Sequence, residues 1–351
     1  MSYIAKPAAF HPKLKRNALG LTHRDYEGAM STLCAGCGHD SITAALIEAC
    51  CELDLPPHRI AKISGIGCSS KAPTYFLKQA HGFNSVHGRM PSIATGANLA
   101  NRDLIYFGVS GDGDTASIGL GQFAHAVRRQ LNMVYIVMNN GCYGLTKGQF
   151  SATNDRASPS KKGAPNPFDP IDLSQMAITL GAGFVARSFS GDKGQLKPLI
   201  KAAINYNGFA LLDVVSPCVT FNNHAASTKS YEYVRAHNEA LDQVDYVPPE
   251  HEIRAEVAEG ETRDVTLHDG SILRLHRLDD SHDPHDADSA LSAIRTRAAR
   301  GEVATGLLYL DPAEQDLHKT LRTTARPLNA TPMSALCPGS DKLAGINARF
   351  R

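Results

Sequence analysis

Residues 104–140 read LIYFGVSGDGDTASIGLGQFAHAVRRQLNMVYIVMNN, and the fold class can be predicted from them. The stretch begins with an apolar run at 104–109 and ends with a second one at 133–138. Between the two, residues 118–130 carry apolar side chains at helical spacing. This order predicts a β-α-β unit with two parallel strands. The first run is apolar on both faces, which favours an interior strand covered by helices on each side.

The same alternation continues on either side of this unit. It predicts an α/β fold with a mostly parallel sheet and helices on both faces. Residues 151–170, which contain four prolines and have no periodicity, are predicted to form a long loop, either a lid over a site or a solvated linker. The further predicted strands are 60–64, 184–188 and 210–215, and the further helices are 40–53, 91–100, 173–180 and 196–204.

We predict three parts of the chain: an N-terminal arm at 1–30, a domain at 31–245 and a C-terminal extension at 246–351. The extension contains a predicted hairpin turn at 268–270 and the acidic run DDSHDPHDAD at 279–288. His282 and His285 in that run suggest either a metal site or a solvated acidic loop. The loop is favoured, because ligands on irregular chain are not preorganised.

Composition excludes several classes of function. The 36 Lys and Arg residues nearly balance the 35 Asp and Glu residues, so no overall basic field predicts binding to nucleic acid or an anionic membrane. No apolar stretch approaches the ~20 residues that span a bilayer. The first twenty residues lack a signal-peptide core, which predicts a cytoplasmic protein with reduced thiols. The eight cysteines then indicate metal or redox chemistry.

Polar groups follow both strands of the central unit, as GDGD at 111–114 and NN at 139–140. The carboxyl ends of neighbouring parallel strands form one ligand site in such sheets. Asp112, Asn140 and the backbone carbonyl of Cys142 offer the hard oxygen ligands that Mg²⁺ prefers, usually shared with phosphates. The glycines allow close approach of the backbone, and the following helix N-terminus favours an anion.

This pair of motifs, with 25 residues between Gly113 and Asn139, resembles the GDG…NN motif of thiamine-diphosphate enzymes. It predicts thiamine diphosphate held through Mg²⁺. Asp114 has two alternatives, a contact with the cofactor or a cap on the helix that follows.

Four cysteines are predicted to converge on one metal centre. Cys34 and Cys37 lie in a tight loop before the first helix, while Cys68 and Cys218 each follow a predicted strand. Four thiolates suit a cubane iron–sulfur cluster or zinc. A thioredoxin-like dithiol is the alternative for the first pair. The remaining thiols are interpreted as buried hydrophobes, Cys50 and Cys51, or as incidental, Cys337.

Together these motifs resemble the β subunits of 2-oxoacid:ferredoxin oxidoreductases, most closely the 2-oxoglutarate-specific branch known as 2-oxoglutarate synthase. The resemblance covers about residues 30–245. It is carried by CAGCG at 34–38, GIGCS at 65–69, HGR at 87–89, the GDGD motif, and NN followed by YGLTKGQ at 143–149. Two small departures are Ala35, where proline is common, and Gly141-Cys142, where an acidic and a β-branched residue are usual.

The resemblance implies a 4Fe-4S cluster on Cys34, Cys37, Cys68 and Cys218, beside the thiamine diphosphate. The residues that it places along the cofactor are Ile66, Gly67, Cys68, Ser69, Gly113, Asp114, Gly144 and Leu145.

The activity implied is the CoA-dependent oxidative decarboxylation of 2-oxoglutarate to succinyl-CoA and CO₂, with electrons passing through the cluster to ferredoxin. The glutamate that activates the cofactor normally comes from a pyrimidine-binding domain, which this chain has no room for. A partner α subunit is therefore implied. The alternatives are the same chemistry on pyruvate or a branched-chain 2-oxoacid, a non-redox decarboxylase with structural zinc, and an iron–sulfur scaffold or redox sensor.

Four further residues are candidates for contact with substrate. Lys71, three positions after Cys68, is predicted to pair with the distal carboxylate of 2-oxoglutarate, with a solvated lysine as the alternative. Leu145 offers no extra donor to a smaller substrate. Lys147 is predicted to hold a CoA phosphate or to form an internal ion pair. His87 is a candidate catalytic residue or a core histidine.

Overall fold

A computed structural model describes residues 13–159, 163–247, 262–266, 272–277, 282–313, 316–337 and 339–350. The strands are β1 Ile60–Ser64, β2 His81–Asn84, β3 Ile105–Gly111, β4 Met133–Asn139, β5 Cys142–Tyr143, β6 Gln149–Phe150, β7 Phe184–Phe189, β8 Phe209–Val215, β9 Asn238–Ala240, β10 Asp242–Val247, β11 Thr262–Thr266, β12 Ile272–Arg277 and β13 Val303–Leu310. The helices are α1 Gly38–Glu52, α2 Ala72–Tyr75, α3 Met90–Ala100, α4 Leu120–Arg128, α5 Leu173–Thr179, α6 Lys193–Asn205, α7 Tyr231–His237, α8 Ala287–Ala299, α9 Leu317–Leu321, α10 Met333–Leu336 and α11 Ser340–Asn347.

The main sheet has eight strands in the order β2-β1-β3-β4-β8-β7-β13-β9. Every neighbouring pair is parallel except β13 with β7, which is antiparallel. The predicted α/β class with a mostly parallel sheet is confirmed. The interior position predicted for β3 is also confirmed, because β3 lies between β1 and β4.

The five predicted strands lie within two residues of the observed ones, since they are apolar on both faces and buried on both faces. All seven residues of β4 and all seven of β8 are buried. Side chains from opposite faces of the sheet join two separate cores, one around Leu46 and Phe107 and the other around Phe123 and Tyr135. Helices therefore cover both faces of the sheet, as the continuous apolar runs predict.

Part of the predicted extension is built into this sheet. Strand β13 pairs with β7, and α8 packs against β13 and α5. The predicted hairpin is confirmed in its strands, since β11 and β12 pair antiparallel, while its turn at 268–270 lies outside the described residues, as do 279–281.

The prediction of a solvated acidic loop is wrong for the histidines. His282 is fully buried, with Nε2 2.9 Å from the carbonyl oxygen of Leu308 and Nδ1 3.3 Å from Asp242. His285 lies 2.8 Å from the carbonyl oxygen of Leu310. Both histidines thus attach this segment to β13, a strand that sequence analysis did not identify.

The segment 151–170, apart from 160–162, packs against the domain. Five of its polar side chains are buried: Ser151, Thr153, Asn154, Ser158 and Asn166. The solvated-linker alternative is therefore wrong, and the lid stays a prediction. Among the helices that the structure describes, none combines the length and apolarity needed to cross a membrane.

Candidate active site

The candidate site lies along one edge of the sheet, where four neighbouring parallel strands end. In sheet order these strands are β1, β3, β4 and β8. Cys68 follows β1, Asp112 follows β3, Asn140 follows β4 and Cys218 follows β8. Residues that are up to 150 positions apart in sequence are thereby brought to one edge, as the strand-helix-strand pattern predicted.

Asp112 and Asn140 are linked across the ends of β3 and β4. The backbone N–H of Asn140 donates to Oδ1 of Asp112 at 3.2 Å, and the backbone N–H of Cys142 donates to Oδ1 of Asn140 at 3.0 Å. Asp112 is only 1% exposed. Burial raises the pKa of this carboxyl, while hydrogen bonds from Ser151 and Thr153 oppose the rise. A carboxylate that is costly to ionise without a cation suits a place beside Mg²⁺.

The residues that orient Asp112 were not predicted from the sequence. Oδ2 of Asp112 accepts hydrogen bonds from the hydroxyls of Ser151 and Thr153, the latter at 2.6 Å. The Thr153 hydroxyl also lies 3.0 Å from Oδ1 of Asn139. These residues begin the loop that was predicted only as a whole, and the available signal was their position directly after the second polar motif.

Asp114 does not cap the following helix. Its carboxylate accepts from the backbone N–H of Gly88 at 2.7 Å and from the Ser110 hydroxyl at 3.0 Å. It lies within a π-helical turn, Gly113–Ile118, that precedes α4. The helix-cap alternative is wrong, since this carboxylate instead joins the turn after β3 to the loop at residues 87–89.

Two observations fit the binding of a diphosphate cofactor at this edge. The Ser69 hydroxyl is buried and has no hydrogen-bond partner among the described residues, although buried hydroxyls are nearly always paired. The backbone nearby is open to a ligand, because Gly67 has a φ of +104° and a side chain there would meet no atom within 4 Å. An unpaired hydroxyl beside an open glycine turn is expected in a ligand-binding site, where the bound ligand supplies the missing hydrogen-bond partner.

The four predicted ligand cysteines lie at the same edge, and two of them, Cys68 and Cys218, come close to one glycine. A Cβ atom placed on Gly144 would be 3.3 Å from Sγ of Cys68 and 3.5 Å from Sγ of Cys218. Cys34 is exposed, and its sulfur is 3.7 Å from the Thr220 hydroxyl, two residues from Cys218. Next to Cys37, the backbone N–H of Gly38 donates at 3.3 Å to the carbonyl of Pro217, the neighbour of Cys218.

Cys37 and Cys218 differ in how strongly their surroundings stabilise the thiolate. Burial raises the pKa of Cys37 to about 12. The pKa of Cys218 is lowered to about 6, mainly by a hydrogen bond from the thiol of Cys142 and, against the effect of burial, by backbone N–H groups. The N–H groups of Phe221 and Asn222 donate to the carbonyl oxygen of Cys218, at 3.3 and 3.0 Å, and close the turn that carries this cysteine.

One buried contact ties together the two segments that carry Cys37 and Cys218. Nδ1 of His39 lies 2.6 Å from the hydroxyl of Ser216, and both residues are at most 1% exposed. Burial lowers the pKa of His39 to about 4, so the ring is neutral at pH 7. This contact fixes the spacing of two cysteines that are 181 residues apart.

The candidate substrate residues surround this edge. Lys71 is partly exposed and lines an open cavity of about 450 Å³ together with Ile66, Ser64 and Asn84. Lys147 is exposed, has a φ of +82° and forms no ion pair within the described part of the chain, which argues against the internal-pair alternative. His87 is exposed, so the core-histidine alternative is wrong. Leu145 is 50% exposed.

No three His, Cys, Asp or Glu side chains of the described residues converge closely enough to hold a single metal ion. The cysteines and the Asp112–Asn140 pair are two distinct groups of donors. Gly144 lies beside the former, and Cys142, two residues earlier, donates its backbone N–H to Asn140 of the latter at 3.0 Å.

Comparisons with known proteins agree with this geometry. Residues 65–214 match the family model described as thiamine pyrophosphate enzyme, C-terminal TPP binding domain. The chain is 44% identical over 191 residues to the 2-oxoacid:ferredoxin oxidoreductase subunit beta of a Sulfolobus species, a match covering 54% of this chain and 63% of that one. Over 253 residues it is 33% identical to 2-oxoglutarate synthase subunit KorB of Methanocaldococcus jannaschii, covering 70% and 91%.

A solved structure is similar over nearly the whole fold. It is the 2-oxoglutarate:ferredoxin oxidoreductase of Magnetococcus marinus with 2-oxoglutarate, coenzyme A and succinyl-CoA bound. The TM-score is 0.69 at 30% identity, and the match covers 89% of this chain and 95% of that chain. The chain spans 60–65% of the length of the first three curated relatives that it matches.

Proposed function

This chain belongs to the family of 2-oxoacid:ferredoxin oxidoreductase β subunits, and on that premise we propose that it is the β subunit of a 2-oxoglutarate:ferredoxin oxidoreductase. In the proposed reaction 2-oxoglutarate, CoA and two oxidised ferredoxins give succinyl-CoA, CO₂, two reduced ferredoxins and a proton. The observation that carries the proposal is the meeting of two donor groups at one sheet edge. Oxygen donors suited to Mg²⁺ end β3 and β4, and thiols suited to a cluster follow β1 and β8.

Thiamine diphosphate supplies the electron sink for decarboxylation when bound, and a 4Fe-4S cluster accepts electrons singly. Asp112, Asn140 and the carbonyl of Cys142 would hold Mg²⁺. The thiolates of Cys34, Cys37, Cys68 and Cys218 would hold the cluster. Along the cofactor we place residues of three glycine-containing segments, which are Ile66, Gly67, Cys68, Ser69, Gly113, Asp114, Gly144 and Leu145.

The sheet edge also orients these groups. The hydroxyls of Ser151 and Thr153 hold one oxygen of Asp112, which leaves the carboxylate fixed in direction. The ring of Tyr143 packs where a side chain on Gly113 would lie, 2.5 Å from it, and its hydroxyl donates to the carbonyl of Gly113 at 3.0 Å. These contacts hold the backbone of the turn after β3 in position for a diphosphate.

Lys71 is the proposed recognition residue for 2-oxoglutarate. It lies in the cavity beside Ile66, and its charge acts on Cys68, so it is within electrostatic reach of the proposed reacting centre. A cation here complements the distal carboxylate that distinguishes 2-oxoglutarate from pyruvate. Replacing Lys71 with Met should raise KM for 2-oxoglutarate by about 10- to 100-fold, while Lys71→Arg retains most of the affinity. An unchanged KM in Lys71→Met would contradict this role.

Lys147 is the proposed contact for a CoA phosphate. It is exposed on the turn after β5, where the N–H of Gly148 donates to the carbonyl of Tyr143 at 2.9 Å and holds the turn closed. Lys147→Ala should raise KM for CoA by about tenfold and leave KM for 2-oxoglutarate unchanged. Lys342→Ala, at an exposed lysine in α11, is the matched control.

The partner that completes the site is an α subunit carrying the cofactor-activating glutamate, and ferredoxin is the proposed electron acceptor. The test is anaerobic co-expression with that α subunit, followed by viologen reduction with 2-oxoglutarate or pyruvate, each with and without CoA. We expect reduction that requires both CoA and 2-oxoglutarate. A preference for pyruvate would show that the substrate is a 2-oxoacid other than 2-oxoglutarate. Release of CO₂ in the absence of CoA, with no reduction of viologen, would indicate a non-redox decarboxylase.

A further inference from the structure

Asn222 joins two segments of the candidate site by hydrogen bonds. It lies on the turn that follows β8 and is 1% exposed. Its backbone N–H donates to the carbonyl oxygen of Cys218 at 3.0 Å, and its side-chain Nδ2 donates to the carbonyl oxygen of Asn140 at 2.8 Å. One buried residue therefore contacts both the turn that carries a proposed cluster ligand and the loop proposed for Mg²⁺.

Asn140 is held at three points, and the contact from Asn222 is the one that reaches it from a distant segment. The backbone N–H of Asn140 donates to Asp112, and its Oδ1 accepts from the backbone N–H of Cys142. These two contacts lie within the ends of β3 and β4. The third comes from a side chain 82 positions later, and it satisfies a backbone carbonyl of a residue that is 5% exposed. A buried carbonyl that loses such a donor is costly to leave unpaired, so the loop moves to find another partner.

The room for this amide is made by Gly141. Gly141 has a φ of +72°, and a Cβ atom added there would lie 2.6 Å from Nδ2 of Asn222. From the other side, Nδ2 of Asn154 donates to the carbonyl oxygen of Gly141 at 2.8 Å. Two consecutive carbonyls of the loop are thus each held by a buried side-chain amide, directly before Cys142, whose own carbonyl is a proposed magnesium ligand.

We propose that Asn222 is a positioning residue for Mg²⁺, which holds the backbone of Asn140 so that the side-chain oxygen of Asn140 keeps its direction towards the metal. This inference rests on the proposed function. Mg²⁺ demands near-ideal octahedral geometry, so a small displacement of one ligand weakens its binding. Loss of a residue that orients a metal ligand typically weakens metal binding by about 10- to 100-fold. Asn222 acts on the metal through Asn140 and is not a ligand itself.

The experiment uses the complete αβ complex, purified anaerobically, with Asn222→Ala and Asn222→Ser. Calorimetric titration of MgCl₂ at a fixed, saturating concentration of thiamine diphosphate gives the dissociation constant for Mg²⁺. Both variants should weaken Mg²⁺ binding by about 10- to 100-fold, because neither side chain is long enough to replace the amide donor. Iron content should equal that of the wild type, since all four proposed cluster ligands remain. Asn222→Ser keeps a polar group in the buried site and is the variant to use if Asn222→Ala does not fold.

Asn98→Ala is the matched control. Asn98 is 2% exposed, and its Nδ2 donates to the carbonyl oxygen of Asn132, which precedes β4 at the opposite end of the strand. This variant loses a contact of the same kind and should lower stability to urea while Mg²⁺ affinity stays at the wild-type value.

Three results would overturn the inference alone. They are unchanged Mg²⁺ affinity in the Asn222 variants, an equal loss of Mg²⁺ affinity in Asn98→Ala, and loss of iron with unchanged Mg²⁺ affinity in Asn222→Ser, which would assign Asn222 to the cluster turn only. A wild-type complex that binds no thiamine diphosphate in the presence of Mg²⁺ would overturn the proposed function, and this inference with it.

Discussion

Two buried polar groups on the same sheet differ in how well they are satisfied. Around Arg187 on β7, the guanidinium bonds Asp172 at 2.6 Å and Asp213 at 3.0 Å. Burial would raise the pKa of Asp172, but the charge of Arg187 outweighs it and lowers that pKa. At the sheet edge, the pKa of Asp112 is instead raised by burial, and the Ser69 hydroxyl has no partner among the described residues.

This difference distinguishes a group that stabilises the fold from a group that is suited to bind a ligand. The Arg187 group pairs its charges internally, so its contribution is to the stability of the fold. Among the described residues, the carboxylate of Asp112 has hydrogen bonds but no ion-pair partner, and the Ser69 hydroxyl has no hydrogen-bond partner. Both are destabilising in isolation and are compensated when a ligand supplies the missing charge or hydrogen bond. Substitutions in the first group should change unfolding, and those in the second should change binding.

Removal of Arg187 is the strongest test of this separation. Arg187→Leu leaves the buried carboxylate of Asp213 and the partly buried one of Asp172 without their cation. It should lower the free energy of unfolding by about 3–5 kcal/mol, measured by urea denaturation. Arg156→Leu breaks the exposed pair with Asp169 and is the control, with an expected loss of about 0–1 kcal/mol. Equal losses of unfolding free energy in the two variants would contradict the structural role of the Arg187 group.

Asp112→Asn should have the converse effect. We expect binding of thiamine diphosphate with Mg²⁺ to weaken about 100-fold, equivalent to about 2.7 kcal/mol, because an anionic ligand is lost. The free energy of unfolding should change by less than about 1 kcal/mol, since the hydroxyls of Ser151 and Thr153 can turn to accept from the amide. Calorimetric titration and denaturation of the same αβ complex measure the two quantities. Asp172→Asn, which should lose stability and keep binding, is the control.

Ser69→Ala is expected to have the smallest effect. Removing a buried hydroxyl that has no partner should leave the unfolding free energy unchanged or raise it by up to about 1 kcal/mol. If that hydroxyl bonds the cofactor, affinity for thiamine diphosphate should fall by about 5- to 10-fold. A clear loss of stability with unchanged affinity would place Ser69 with the structural groups instead.

Sequence patterns located the sheet and its functional edge because those signals are local. A buried parallel strand is a continuous apolar run, and the polar group that follows it must lie at the strand end. β3 and β4 with GDGD and NN, and the cysteines after β1 and β8, were found in this way. β13 was not found, because it is joined to the sheet through distant segments and follows a region of acidic composition.

The supporting contacts were beyond sequence analysis because their partners are far apart in the chain. Lys62 lies inside the buried strand β1, where its ammonium donates to the carbonyl oxygens of Pro73, Phe76 and Leu77. The position of a lysine in an apolar run does not predict that its ammonium will bond three backbone carbonyls that lie 11 to 15 residues later. The His39–Ser216 contact and the Arg187 group likewise depend on the finished fold.

The central claim is that one sheet edge holds both cofactors. It is tested most directly by the iron and acid-labile sulfide content of the anaerobic αβ complex, comparing the wild type with Cys218→Ala. The account predicts a wild-type β chain with a 4Fe-4S cluster and a loss of about four iron atoms per β chain in Cys218→Ala, with thiamine diphosphate binding retained. Zinc in place of iron, or iron content unaffected by the substitution, would contradict it.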